Sequence, residues 1–244
     1  MTALLQAEKV TRRFGGIVAV NECSIAVQER SITGLIGPNG SGKTTLFNLI
    51  TGVYRPHSGH VYLRGQRITG LQPSRICHLG LSRTFQITRL FWDLTVLENM
   101  IVPVRQVGIR PLFGPGMYQH EQERALALLD RVGLTHLKDQ PAGKLSFGQQ
   151  KLLEFAAILM SGPDLVLLDE PAGGVNPTMI RFIMNLIRSL NRDGVTFLVV
   201  EHNMGVVMDL CDHILVMDQG QKIAEGPPHI IQSDSVVLDA YLGT

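Results

Sequence analysis

The chain has 244 residues, of which 45% are hydrophobic and 18% are charged, and it carries a formal net charge of +1. This length and balance predict a folded globular protein that buries most of its surface. The near-neutral charge, without a long run of Lys or Arg, argues against non-specific nucleic-acid binding, which depends on dense positive charge.

The three cysteines, Cys23, Cys77 and Cys211, lie far apart and form no C-x-x-C pair. Such a set is typical of reduced cytosolic thiols rather than of a disulfide framework or a zinc site. The N-terminal residues lack the basic start and apolar run of a secretory signal, and no stretch reaches the ~18 to 20 apolar residues of a membrane helix. We therefore expect a cytosolic chain whose link to any membrane runs through a partner protein.

The first third of the chain predicts short strands around one helix. The strands are expected at 4–10, 24–27, 31–36 and 61–63, and the helix at 43–51. In the middle third, helical periodicity at 96–104 and 121–132 is separated by Pro and Gly residues, and a further helix is expected at 150–160.

The last third alternates between strands and helices. A strand is expected at 165–168, a helix at 177–192 and another strand at 196–200. The two strands are continuous apolar runs, which suit a parallel sheet that is buried on both faces. The pattern as a whole predicts an α/β core with a mostly helical insertion at about 88–161.

The segment 37–44 fits the phosphate-loop pattern G-x-x-x-x-G-K-[ST] and stands between a predicted strand and a predicted helix. Its glycines let backbone N–H groups converge on phosphate oxygens, and the helix start adds its positive dipole end. Lys43 supplies a cation for the outer phosphates, and Thr44 supplies a hydroxyl for Mg²⁺. The predicted nucleotide-binding residues here are Gly37, Pro38, Asn39, Gly40, Ser41, Gly42, Lys43, Thr44 and Thr45.

The apolar run at 165–168 is followed by two carboxylates, Asp169 and Glu170. Alone, such a pair is more often a solvated turn. A phosphate loop more than a hundred residues upstream favours a catalytic interpretation. Asp169 would hold Mg²⁺ through water, and Glu170 would orient and polarise the attacking water.

The segment Leu145-Ser146-Phe147-Gly148-Gln149 resembles the LSGGQ signature of ABC ATPases, with Phe147 where the pattern usually has its first glycine. A serine and a small residue at a helix N-terminus form an anion site. The resemblance implies that this site closes over the γ-phosphate held by the phosphate loop of a second subunit. Ser146, Gly148 and Gln149 are therefore expected to bind nucleotide across a dimer.

Three further residues match functional positions of the ABC family, and a fourth departs from the family pattern. Gln86 matches the glutamine that contacts Mg²⁺ and water and senses the membrane partner, and His202 matches the switch histidine that contacts the γ-phosphate. The resemblance implies that both are catalytic residues, together with Glu170. Phe14 is placed like the aromatic that stacks on adenine, although a Phe at a strand edge is more often part of a core. Asn176 stands where many members have Asp, which implies a different coupling across the dimer.

The resemblance covers nearly the whole chain and implies the fold of an ABC nucleotide-binding domain. That fold is an α/β P-loop NTPase core with a mostly parallel sheet, an N-terminal antiparallel β region and an inserted helical subdomain. We expect one domain over 1–244, with a core lobe at about 1–87 and 162–244 and the helical subdomain at about 88–161.

Several stretches resemble a narrower group, the ATP-binding subunits of branched-chain amino-acid importers. They are 14–20, 83–86 with 94–100, 169–178 and 225–243. The resemblance implies ATP and Mg²⁺ as cofactors, and ATP hydrolysis coupled to import of a branched-chain amino acid or a related small amide or acid. The partners that it implies are a second ATPase subunit (the same chain or a relative) and two membrane permeases, which would bind near 86–117. An external substrate-binding protein would be an indirect partner. The chain would lie on the cytoplasmic face of the inner membrane.

The competing hypothesis is a non-transport ABC ATPase, such as a cluster-assembly scaffold, which the importer-like stretches oppose. Chromosome-type clamps need a long coiled coil between the two halves of the site, and only about a hundred residues separate Lys43 from Ser146. A nucleotide sensor without catalysis is disfavoured because Lys43, Asp169, Glu170 and His202 are all present.

Overall fold

The computed structural model describes residues 3–84, 90–102 and 119–242. Within these ranges the strands form one four-stranded sheet and one six-stranded sheet, with helices packed around them. The fold is therefore the expected α/β architecture with an N-terminal antiparallel region.

The smaller sheet is antiparallel and has the strand order β2-β1-β4-β5. Its strands are β1 (Ala3–Phe14), β2 (Ile17–Gln28), β4 (Ser58–Leu63) and β5 (Gln66–Arg67). β1 and β2 extend further than expected because their register shifts repeatedly, which hides the period-two pattern.

The larger sheet has the order β10-β9-β3-β8-β7-β6, parallel except for β10, which runs antiparallel to β9. Its strands are β3 (Ile32–Ile36), β6 (Leu81–Arg83), β7 (Leu165–Asp169), β8 (Thr196–Val200), β9 (His213–Asp218) and β10 (Gln221–Gly226). Every residue of β3, β7 and β8 is buried, which confirms the prediction of a parallel sheet covered on both faces.

The helices cover both faces of this sheet. They are α1 (Lys43–Ile50), α2 (Pro73–His78), α3 (Val96–Ile101), α4 (Gln119–Arg131), α5 (Phe147–Leu159), α6 (Pro177–Arg192), α7 (Met204–Leu210), α8 (Pro228–Ile231) and α9 (Ser235–Leu242). α3, α4 and α5 pack against one another, in the region where the helical subdomain is expected. In the described part of the chain, no helix is both long enough and apolar enough to cross a membrane.

Successive residues of the central strand β8 point into two different apolar cores. Phe197 and Val199 contact the core formed with α5 and α6, whereas Leu198 and Val200 contact the core formed with α1 and the antiparallel sheet. The sheet is thus held from both sides, which fixes the positions of its strand ends.

The three cysteines are free thiols that differ in exposure. Burial raises the pKa of Cys23 to about 11 and that of Cys211 to about 12, whereas Cys77 is partly exposed. Because the thiolate is the nucleophile, we expect a maleimide at pH 8 to modify Cys77 in the native chain, and all three cysteines only in denaturant. Mass spectrometry of the adducts checks this, and native labelling of Cys211 would contradict the packing described.

Candidate functional site

The carboxyl ends of the neighbouring parallel strands bring most of the predicted site residues to one edge of the sheet. β3 leads into the segment 37–44, β8 into His202, and β7 ends at Asp169, followed by Glu170. The register pairs Leu35 with Val200 and Val200 with Asp169, so these strands end side by side. This edge is where ligands bind in open α/β sheets.

The phosphate loop requires glycine at two positions for reasons of backbone geometry. Gly37 has a φ of 147° and Gly42 has a φ of 100°, values that L side chains rarely adopt. A Cβ at position 37 would overlap the Met217 carbonyl oxygen, and one at position 42 would overlap the Ala19 carbonyl oxygen. The loop therefore lies directly against the backbone of its neighbours.

Lys43 lies inside this loop, with only 5% of its surface exposed. Its Nζ donates hydrogen bonds to the Gly37 carbonyl at 2.8 Å and the Pro38 carbonyl at 2.9 Å, and lies 3.3 Å from Ser41 Oγ. Burial lowers the pKa of the Lys43 ammonium, and the nearby carboxylates of Glu170 and Asp169 oppose that shift. A phosphate oxygen would offer this ammonium a stronger, charge-assisted bond than these neutral carbonyls do.

Part of the loop is more open, whereas Gly37, Pro38 and Ser41 are buried like Lys43. Asn39, Gly40 and Thr44 are exposed and Thr45 is partly buried, while the Pro38 carbonyl accepts the Ser41 N–H at 3.2 Å. The Thr44 hydroxyl is thus accessible to a ligand bound in the loop.

Asp169 is nearly inaccessible, and its Oδ2 lies 2.8 Å from Nη2 of Arg83. The same guanidinium donates to Asn48 Oδ1 at 2.6 Å, so it joins the end of β7 to α1. No role was predicted for Arg83, which lies on β6, separated from β3 and its phosphate loop by β8 and β7.

The oxygen donors at this edge fit Mg²⁺, a hard cation that binds one or two protein groups together with substrate phosphates. Those donors are the Thr44 hydroxyl and the Asp169 carboxylate. Over the described residues, no group of three or more His, Cys, Asp and Glu side chains could hold a metal ion by itself. Gln86, the third predicted ligand and a predicted catalytic residue, lies outside the described residues.

Glu170 and His202 form a partly exposed pair at the same edge of the sheet. Glu170 Oε1 lies 3.1 Å from His202 Nε2, and their side chains are 30% and 44% exposed. Glu170 also has a φ of 51°, an uncommon backbone conformation for a residue other than glycine, of the kind that clusters at functional sites. The structure brings together the two residues that were predicted to be catalytic from separate motifs.

The signature segment forms the exposed N-terminus of α5. Ser146 Oγ accepts the Gln149 N–H at 3.4 Å, and Gln149 Oε1 accepts the Ser146 N–H at 2.9 Å. This reciprocal capping box starts the helix at Phe147, three residues before the expected position 150. Gly148 faces the Met179 side chain, where a Cβ would lie 3.1 Å from the Met179 methyl carbon.

Phe147 fills the place of the usual glycine and is 51% exposed. Its ring packs against Gly174, where an added Cβ would lie 3.0 Å from the ring, and the Lys151 ammonium lies 5.3 Å from the ring centroid. Asn176, the other departure from the family pattern, caps α6 by accepting the Met179 N–H at 2.9 Å.

Phe14 ends β1 and is 38% exposed. Its ring meets Tyr54 edge to face at 5.2 Å, and the guanidinium of Arg12 lies 4.8 Å from its centroid. Its exposure leaves room for contact with a ligand, and the stacking role stays a prediction.

The sequence interpretation missed two charged residues that bind the backbone around Glu170. Lys151 donates to the Glu170 and Gly173 carbonyls at 3.2 and 2.5 Å. Glu201 accepts the Ala172 N–H at 2.7 Å. The available signal for Glu201 was its position, because a charged residue follows the apolar strand directly and precedes His202.

Two family models match the chain. One is described as ABC transporter and matches residues 20–173, and the other is described as Branched-chain amino acid ATP-binding cassette transporter and matches residues 221–244. The chain is 41% identical to the high-affinity branched-chain amino acid transport ATP-binding protein BraF of Pseudomonas aeruginosa, over 98% of each chain.

Solved structures show the same similarity. The chain matches MJ1267, an ATP-binding cassette of an ABC transporter in its ADP conformation, with a TM-score of 0.91 and 37% identity over 100% of each chain. It also matches the dimeric structure of MJ0796, a bacterial ABC transporter cassette, with a TM-score of 0.79 and 26% identity over 92% of this chain and 98% of that one.

Proposed function

This chain belongs to the ABC transporter family of ATP-binding subunits, and we propose that it powers an importer of branched-chain amino acids or related small amides and acids. The proposal rests on two family models that match the same chain, the general ABC transporter model and, at residues 221–244, the branched-chain amino acid model. The similarity to BraF over nearly the full length agrees with both. As a member of this family the chain binds and hydrolyses ATP.

The phosphate loop at 37–44 is the proposed site for the triphosphate, with Lys43 moving from the loop carbonyls to the outer phosphates. The buried position of Lys43 and the exposure of Thr44 support this assignment. Mg²⁺, when bound, would neutralise phosphate charge, with Thr44 and Asp169 holding it and Arg83 keeping the Asp169 carboxylate in place.

Glu170 is the proposed residue that orients and polarises the attacking water, and His202 is the proposed contact to the γ-phosphate. Their 3.1 Å separation and their partial exposure allow both side chains to face the same substrate. Phe14 is proposed to contact the adenine, and Gln86 to contact Mg²⁺ and water.

The working unit is proposed to be a dimer that closes around two ATP molecules. Ser146 is exposed and Gly148 and Gln149 are partly exposed at the N-terminus of α5, which suits the γ-phosphate held by a partner subunit. The shared nucleotide supplies the differential contacts that select the closed state, and opening after hydrolysis would drive two membrane permeases. The chain would act at the cytoplasmic face of the inner membrane, with an external substrate-binding protein as an indirect partner.

Affinity purification from detergent-solubilised membranes of the native organism tests this function. We expect two multi-span membrane proteins and a second ABC ATPase subunit to co-purify with the full chain, because the subunit depends on them for its membrane attachment. Purification from the unsolubilised cytosolic fraction is the control and should lack the membrane proteins. A complex containing only soluble assembly proteins would instead favour the cluster-assembly scaffold.

The cargo is tested with the same purified complex in lipid vesicles. We expect ATP-dependent uptake of leucine, isoleucine or valine in the presence of the external binding protein. Uptake of urea or an aromatic acid alone would exclude branched-chain amino acids and assign the cargo to the related amides and acids, and uptake of none of these would contradict the proposed cargo.

A further inference from the structure

Glu201 is a buried carboxylate at the end of β8, with 4% of its surface exposed. Its Oε1 accepts the Ala172 N–H at 2.7 Å. Its Oε2 accepts the N–H groups of His202 at 3.1 Å and Asn203 at 3.3 Å. The side chain thus receives three backbone hydrogen bonds, divided between its two oxygens.

The three N–H groups belong to the two segments that carry the proposed catalytic pair. Ala172 lies in the turn that begins at Glu170, and His202 belongs to the segment after β8. The turn is also held from the opposite direction, because Lys151 donates to the carbonyls of Glu170 and Gly173. Glu201 binds the N–H side of this turn and Lys151 binds its carbonyl side.

A charge in this position needs a specific reason, since burying a carboxylate is costly unless hydrogen bonds compensate it. The same three hydrogen bonds could not be accepted by an apolar residue that only filled the space. A carboxylate has two acceptor oxygens and can join two separate groups of N–H donors. A carboxamide has only one acceptor oxygen, because its nitrogen is a donor. Glu201 therefore serves to connect the turn after Glu170 with the segment after β8, rather than only to fill space.

We propose that Glu201 is a positioning residue for ATP hydrolysis, which fixes the turn carrying Glu170 relative to the segment carrying His202. It holds Glu170 Oε1 and His202 Nε2 at their 3.1 Å separation across the end of two neighbouring strands. This inference rests on the proposed roles of Glu170 and His202.

Glu201→Gln tests the proposal because the substitution keeps the shape and leaves one acceptor oxygen for two groups of donors. The kcat of the full chain is measured and divided by the folded fraction. We expect it to fall about 10-fold to about 100-fold while the ATP affinity stays unchanged, because misplacing a reacting group lowers the rate rather than the binding. In a His202→Ala background the same change should lower kcat by less than about threefold, since coupled residues are not additive. Glu201→Asp keeps both acceptor oxygens and should fall between wild type and Gln.

The control is Asp212→Asn, which removes charge from a carboxylate that accepts the Ile32 N–H at 2.8 Å, at the start of β3 rather than at the end that carries the site. It should leave kcat unchanged.

If Glu201→Gln lowers only the melting temperature and the folded fraction, or lowers kcat equally in the His202→Ala background, the proposal is wrong. If Glu170→Gln and His202→Ala themselves hydrolyse ATP at the wild-type rate, the proposed site roles fail instead. Should Glu201→Gln not fold, a wild-type kcat for Glu201→Asp at unchanged ATP affinity would overturn the proposal, and a lowered kcat would support it.

Discussion

Glu170→Gln is expected to lower the rate of ATP hydrolysis by about 100-fold to about 10,000-fold, the contribution typical of a positioned general base. The carboxamide has nearly the same shape but cannot take a proton from water. ATP binding should persist, because Lys43 is held in the phosphate loop by hydrogen bonds to the Gly37 and Pro38 carbonyls, and the substitution leaves these bonds in place. The dimer that closes around ATP should then accumulate, since the step that opens it is blocked.

Two measurements on the same protein check this expectation. Phosphate release reports hydrolysis, and size-exclusion chromatography with ATP and Mg²⁺ reports the closed dimer. Glu225→Gln is the matched control, because Glu225 also pairs with a basic side chain, Lys222, but lies on the surface at β10, outside the site. The control should hydrolyse ATP normally, since exposed ion pairs contribute little. Hydrolysis at the wild-type rate by Glu170→Gln would show that another group activates the water.

The phosphate loop and the acidic pair could be predicted because each is a continuous motif with a local physical cause. The glycines at 37 and 42 are required by the backbone itself, and Asp169 and Glu170 follow an apolar strand that is visible in the sequence. The long helix α6 and the strand β8 agree with their predicted bounds for the same reason. Local periodicity and capping decide such elements.

The contacts that organise the site could not be predicted, because they depend on strand order and on backbone partners. Arg83 meets Asp169 only because β6 lies beside β7. Lys151 and Glu201 bind carbonyl and N–H groups, which every residue carries, so no residue type in the sequence marks their partners. The start of α5 was readable in principle, since Ser146 and Gln149 have capping-box spacing.

Phe147 shows how the fold accommodates a departure from the family pattern. The ring lies against Gly174, which has a φ of 73° and no side chain to obstruct it, and beside the Lys151 ammonium. The aromatic residue therefore packs the start of α5 against the segment that follows Glu170. A glycine at 147 could not make this contact, so the Phe147 side chain joins the start of α5 to the segment that follows Glu170.

Lys43→Ala is expected to weaken ATP binding by about 10-fold to about 100-fold, the effect of losing a hydrogen bond to a charged group. The ammonium is the cation that the loop holds closest to its own backbone, 2.8 Å from the Gly37 carbonyl. Burial has already removed much of its hydration, so its bond to phosphate is made at a lower desolvation cost than that of an exposed lysine. Isothermal titration calorimetry on the full chain measures the change.

Two further variants separate charge from loop structure. Lys43→Gln keeps an amide donor for the Gly37 and Pro38 carbonyls but removes the charge, so its ATP affinity should fall to a level close to that of Lys43→Ala. Lys138→Ala removes a partly buried lysine in the region where the helical subdomain is expected, and should leave ATP affinity unchanged. If Lys43→Gln binds ATP as tightly as the wild type, Lys43 serves mainly to shape the loop through its carbonyls. The charge that binds the outer phosphates must then come from another side chain.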